Sequence, residues 1–372
     1  MSGPHARRSG GTADGGAAVR ASETDNGGPD TRRSPAAARK PLGTETTRLL
    51  IVLSILVLAL FTASLATGHV SLPLIRTLAG AFGDDPGMPG LILVEIRLPR
   101  ALLGIIVGGS LGLAGAALQG LLRNPLADPG VIGVSSSAGL GAVIVIYFGL
   151  AAGSDLMVPI AAMAGAAAAV ALLLALAGRD AGPLTLILAG VAVNAFAGAL
   201  ISLALNLAPS PYAVIEAVFW LLGSLADRSF SHVRVALPLT LIGWFLLATA
   251  ARPLDALTLG DDVARSLGFN LSRVRIRIVL GAACCVGAGV AVSGVIGFVG
   301  LVVPHLLRPF VGHEPGRLLI ASWLGGAALL VAADLVARLL PVMHELRLGV
   351  VTALIGAPFF LHLIVRTRRT LA

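Results

Sequence analysis

The chain has 372 residues, 56% of them hydrophobic and 12% charged, with a mean hydropathy of +0.91. A soluble domain carries about a quarter charged residues, so a water-soluble globule is excluded, and continuous Leu-, Ala-, Val- and Gly-rich runs exclude the short alternating segments of a β-barrel. The net charge of +8 lies mostly in a tail and between apolar runs, where it reports membrane orientation rather than nucleic-acid binding.

Residues 1–48 are rich in Gly, Ala, Pro, Arg and Asp without periodicity and predict a disordered tail that buries too little apolar surface to order itself. The tail is too long and polar for an ordinary cleaved signal peptide, so the first apolar run is expected to stay as a span. A helix of about 20 apolar residues crosses a hydrocarbon core of about 30 Å. Predicted spans fall at 49–67, 98–122, 131–150, 156–178, 186–205, 235–251, 276–294, 295–310, 317–340 and 348–365. The fold class is therefore all-α, a polytopic membrane protein with about ten transmembrane helices over residues 49–366, followed by a short C-terminus at 367–372.

An even number of spans places both termini on one side. With that side as the cytoplasm, 20 of the 27 Lys and Arg residues lie inside, and Arg76, Arg97, Arg100, Arg228, Arg234, Arg338 and Arg347 lie outside. The excess of positive charge supports cytoplasmic termini. The long outside connection 206–234 holds an amphipathic piece, Ala213 to Leu225. The longest inside connection, 252–275, carries Leu257, Leu259, Val263, Ala264 and Leu267 near helical spacing. Gly260 breaks this pattern, and Asp261 and Asp262 begin a second short helix whose dipole they complement. Two short helices on the cytoplasmic surface have the form of a docking element.

Other residues read as structural. Cys284 and Cys285 are adjacent in an apolar run, as small core residues would be. Ser135, Ser136 and Ser137 follow no strand and have no His and carboxylate placed to activate them, so no nucleophile is expected. Gly108 with Gly112 and Gly115, and Gly281 with Cys285, have the small-residue spacing that lets helix backbones approach. His305 has no second ligand nearby, and no metal site is expected.

Several blocks, in order, resemble one family. They are Arg97-Leu-Pro-Arg100, the stretch Gly108 to Gln119, Arg123-Asn-Pro-Leu-Ala-Asp-Pro-Gly130, Leu188-Ala-Gly-Val191, Trp220-Leu-Leu-Gly-Ser224, the Gly260 to Gly268 loop, Gly297 to His305, Ala333 to Arg338, and Gly349 to Pro358. This series is similar to the FecCD-type permease subunits of ABC importers for iron-siderophores, haem or vitamin B12, and it covers roughly 49–366. The resemblance implies a vitamin B12-importer-permease-like fold in the cell membrane. It also implies a second permease subunit, identical or homologous, two cytoplasmic ABC ATPase subunits and an extracytoplasmic substrate-binding protein.

The resemblance assigns Arg97, Arg100 and Arg338 to binding-protein docking, against acidic residues of that partner. It assigns Leu257, Leu259 and Val263 to apolar contacts in an ATPase groove, with Asp261, Asp262 and Arg265 as the polar rim and Gly260 and Gly268 as the turns. Asn124, Pro125, Leu126, Pro183 and Leu184 match the cytoplasmic gate, although proline ends helices whether or not they gate. Asp334, a carboxylate within a span, is expected to fix the bundle by a hydrogen bond or an ion pair with Arg338; a proton relay is the alternative.

The chain has no G-x-x-x-x-G-K-[ST] phosphate loop, and its one lysine is Lys40 in the tail. No cofactor or catalysis is expected in this chain; ATP and Mg would be bound by the partner ATPase. The expected cargo is a ferric siderophore, with haem and vitamin B12 sharing nearly the same motifs. An ion-coupled secondary transporter is the rival from another class.

Overall fold

The computed structural model describes residues 43–68, 87–150, 154–178, 182–340 and 345–371. Most of the expected tail, together with Arg76 and Arg179, lies outside the described residues. In chain order the helices are α1 (Thr44–Ala66), α2 (Gly87–Leu122), α3 (Val134–Tyr147), α4 (Met157–Ala177), α5 (Pro183–Asn206) and α6 (Pro211–Leu221). They continue with α7 (Phe230–Ala248), α8 (Ala251–Leu257), α9 (Asp261–Ser266), α10 (Leu271–Ser293), α11 (Val299–Leu307), α12 (Pro315–Leu339) and α13 (Leu348–Leu371). Among them α1, α2, α4, α5, α7, α10 and α12 are long and apolar enough to cross a membrane, and α3, α6, α11 and α13 are shorter apolar helices. The ten predicted spans each coincide with one of these helices, and α6 is the amphipathic piece in the long connection.

Two starts differ from expectation. Helix α1 begins at Thr44, with Glu45 in its first turn complementing the helix dipole. Helix α2 begins at Gly87 rather than 98, because a wide π-helical turn, Ile92–Arg97, carries the helix through Leu98-Pro99. Pro99 has no N–H to give the preceding turn, and the widened turn absorbs that gap. Arg97 and Arg100, expected at the outside end of this span, therefore lie inside a longer helix.

Helix α2 is apolar on all sides and buried over most of its length, as a central helix should be. It packs against α12, α10, α11 and α7. Apolar side chains gain nothing by leaving lipid for protein, so close backbone approach has to hold these helices together. Gly112 of α2 lies against the Ser322 carbonyl of α12, and Gly326 of α12 lies against the Gly108 carbonyl of α2. A methyl group on either glycine would push the pair apart.

A buried polar group repairs the break inside α11. Pro304 has no N–H for the Gly300 carbonyl, and Gln119 of α2 supplies one instead, its Nε2 donating to the Gly300 and Leu301 carbonyls at 3.3 Å each. The other end of the same amide accepts from Arg308 Nη2 at 2.6 Å. Cys285 is fully buried and Cys284 partly so, both as free thiols.

Candidate functional site

The three arginines assigned to docking gather at one end of the bundle, but their guanidinium groups turn inward. Arg97 Nη1 donates to the Leu65 and Ala66 carbonyls at 2.8 and 2.9 Å, satisfying the last turn of α1. Arg100 lies between two carboxylates, with Nη2 2.9 Å from Asp334 Oδ1 and 2.7 Å from Glu345 Oε2. Arg338 Nη2 meets Asp334 Oδ2 at 2.7 Å and Ser64 Oγ at 2.6 Å. Asp334 and Arg338 side chains are only 3% and 4% exposed, whereas Glu345 is 25% exposed. Asp334 thus pairs with Arg338 four residues on, as expected, and also with Arg100. The structure joins α1, α2, α12 and the residues before α13 through one charged node, where free surface arginines were expected. Burial in a low-dielectric bundle explains the difference, since a cation there must find its counter-charge inside.

The opposite end carries 254–268. Leu257, expected to be exposed for an ATPase groove, is instead 3% exposed and packed in the core with Leu254. Helix α8 is further fixed by Asp255 Oδ1, which accepts from the Gly316 N–H at 2.7 Å in the first turn of α12. Leu259, at 65% exposure, and Val263 and Leu267 face outward. Asp261, expected on a polar rim, turns back into the permease. Its Oδ1 accepts from Arg123 Nη2 and its Oδ2 from Arg275 Nη2 at 2.9 Å. Asp262 pairs with Arg265 three residues on, at 2.8 Å, in full solvent. Gly260 and Gly268 take φ values of +105° and +87°, left-handed positions that side chains resist, so each marks an end of α9.

The expected gate residues lie at this same end. Arg123 terminates α2 with φ +48°, and Asn124 Oδ1 accepts from the Leu126 N–H at 2.9 Å, making a tight turn that exposes Asn124, Pro125 and Leu126. Pro183 opens α5 and Leu184 is exposed. Between the two stretches, the short 3-10 turn Pro129–Ile132 packs on α5.

A cavity of about 580 Å³ opens beside this turn, lined by Asp128, Ser135, Ser136, Asn194, Phe298 and their apolar neighbours. Asp128 Oδ1 caps the turn, accepting from the Gly130 N–H at 2.8 Å. Desolvation holds its carboxyl above the ordinary carboxylate range, and the Gly130 N–H pulls the other way. Ser136 Oγ is 2.7 Å from Asn194 Oδ1, so this serine is a hydrogen-bonding group of the wall. Phe298 has φ +68°, a backbone position strained for an aromatic residue, at the start of α11.

Sequence reasoning missed Glu345, Gln119 with Arg308, Asp255, and the pairing of Asp261 with Arg123 and Arg275. Only the i,i+4 spacing of Asp334 and Arg338 carried a local signal.

A helical bundle with a wall cavity, charged nodes at both ends and exposed apolar residues beside one of them is the construction of a membrane transport subunit. A family model described as the FecCD transport family matches residues 55–366, and the chain belongs to that family. It is 40% identical over 312 residues to the ABC transporter permease YvrB of Bacillus subtilis, covering 81% of this chain and 88% of that protein. It is 42% identical to the hemin transport permease HmuU of Yersinia pestis, over 74% of this chain and 84% of that one. It is 43% identical to the vitamin B12 import permease BtuC of Vibrio cholerae, over 73% and 82%. A solved metal-chelate-type ABC transporter in an inward-facing conformation superposes with a TM-score of 0.77 at 31% identity, covering 86% of this chain and 99% of that chain. The chain is an ABC importer permease and a transport subunit, not an enzyme.

Proposed function

We propose that this chain forms half of the pathway of an ATP-driven importer of ferric siderophores in the cytoplasmic membrane, with both termini inside. It works with a second permease subunit, two cytoplasmic ABC ATPase subunits that bind ATP and Mg, and an extracytoplasmic binding protein. The observation that carries the ATP-driven assembly is the outward apolar set Leu259, Val263 and Leu267, held beside a firmly anchored α8 on the side favoured by positive charge. Exposed apolar residues of this kind need a partner. Siderophore cargo is supported by the Arg123 to Gly130 motif and by relatives named for ferric citrate and iron-hydroxamate import, FecD of Escherichia coli and FhuG of Bacillus subtilis.

On the outer face Arg100 is the docking residue, with Arg97 and Arg338 buried beside it as the braces that hold its helix. Glu345 is the most exposed partner in that node, and an incoming carboxylate of the binding protein takes its place on Arg100. On the inner face, Asn124, Pro125, Leu126, Pro183 and Leu184 form the gate.

Competition uptake tests the cargo. Proteoliposomes holding the complete importer should accumulate radiolabelled iron as ferric hydroxamate or ferric citrate when ATP is inside, with haemin and cobalamin failing to compete. Transport of haemin or cobalamin in preference to both ferric chelates overturns the siderophore reading.

A further inference from the structure

The connection between α9 and the end of α2 suggests how movement at the ATPase face reaches the gate, and it rests on the coupling reading above. Helix α9 is a six-residue helix whose one buried residue is Ala264, and a side chain added at either of the two left-handed glycines that bound it would point into open space. By contrast α8 is anchored by buried Leu254 and Leu257 and by the Asp255 bond to the start of α12. The joint between the fixed and the lightly held helix is Gly260, and the next residue is Asp261.

Asp261 divides its two carboxylate oxygens between helices. Oδ1 takes the guanidinium of Arg123, the residue that ends α2 and directly precedes Asn124, Pro125 and Leu126. Oδ2 takes Arg275 in the first turns of α10. We propose that Asp261 is a positioning residue that clasps α9 to α2 and α10, so that displacement of α9 by a bound ATPase turns the Asn124 to Leu126 segment.

The geometry favours transmission over simple stabilisation. The Arg123 side chain is 46% exposed, and solvent-exposed ion pairs add little to folding. Such a pair is poorly placed to hold the bundle together, but it fixes direction: a carboxylate gripped by two arginines from different helices cannot shift without moving at least one of them. Arg123 already holds a left-handed backbone position, so a pull on its side chain acts on a turn rather than on the middle of a helix.

The test needs no knowledge of the cargo. In a chain carrying Cys284→Ala and Cys285→Ala, spin labels are placed at Leu126→Cys and Ile320→Cys, both exposed positions, and the permease is assembled with its ATPase subunits. Trapping ADP with vanadate should change the distance between the labels in the otherwise unaltered complex. Asp261→Asn should abolish that change while the complex stays assembled and ATP hydrolysis continues, and Asp261→Glu should restore it. Arg123→Gln should reproduce the loss from the other side, which keeps the test open if Asp261→Asn fails to assemble. Arg273→Gln, which removes a neighbouring exposed charge, should leave the change intact. An undiminished change in both Asp261→Asn and Arg123→Gln overturns the clasp. Absence of any vanadate-dependent change in the unaltered complex refutes the coupling reading, and the inference with it.

Discussion

Replacing Asp334 with alanine removes the carboxylate that, among the described residues, pairs with both Arg100 and Arg338. The Asp334 and Arg338 side chains are 3% and 4% exposed, so neither water nor salt can take the lost charge's place. Arg338 keeps Ser64 Oγ and the Ser64 and Thr67 carbonyls, which are neutral acceptors, and Arg100 keeps Glu345. One arginine is thus left without its buried counter-charge, a loss that costs about 3–5 kcal/mol. Asp334→Asn keeps one acceptor oxygen, but its amide N–H₂ then faces the other guanidinium and the cation stays uncompensated, so it recovers only part of that loss. At roughly 2 °C per kcal/mol for a long chain, the alanine variant should melt about 6–10 °C lower in detergent, with Asn between it and the parent. Glu345→Gln, at a more exposed position, should cost about 1 kcal/mol or less. The ordering Ala, Asn, Glu345→Gln is the sharper test. A midpoint for Asp334→Ala equal to that of Glu345→Gln would refute the reasoning.

Four further outcomes can be checked. Leu257→Ala should destabilise the isolated permease by about 2–5 kcal/mol as a core truncation, whereas Leu259→Asp should leave its melting unchanged and abolish co-purification with the ATPase; the opposite pattern contradicts the placement of α8 and α9. Gly112→Ala should cost about 1–3 kcal/mol by forcing α2 away from the Ser322 carbonyl, read as a lower unfolding midpoint. Gln119→Leu should cost about 1–3 kcal/mol, because the Gly300 carbonyl freed by Pro304 loses its donor; unchanged unfolding would mean that the carbonyl is satisfied another way. The Asp128 carboxyl sits above its unfolded value, so the stability it contributes is fully present below about pH 4 and is lost as pH rises through the folded value. Asp128→Asn keeps the Gly130 bond and should melt with a flatter dependence between acid and neutral pH; identical pH profiles contradict the desolvation.

The order of the helices was legible because each apolar run is long enough to cross a membrane, and the break at Gly260 was legible because a helical pattern restarts at an acidic pair. The start of α2 was not, since Pro99 looks like a helix boundary until the π-helical turn before it is seen. The charged nodes were hidden for another reason. Arg100 finds Asp334 across 234 residues, and Arg123 finds Asp261 across 138, distances over which periodicity says nothing. Leu257 and Leu259 share one apolar pattern, and only packing shows that the first serves the core and the second faces outward. The same limit applies to Arg97 and Arg100, whose internal partners leave no mark in local sequence, whereas Arg338 has Asp334 four residues before it.

The most direct test of ATP-driven import is uptake of radiolabelled ferric siderophore into proteoliposomes containing the permease, its ATPase subunits and the binding protein. Accumulation should require ATP on the ATPase side, stop with vanadate, and persist when the proton gradient is dissipated. Uptake that survives vanadate and disappears with the proton gradient would contradict the account and return Asp334 to the role of a proton relay.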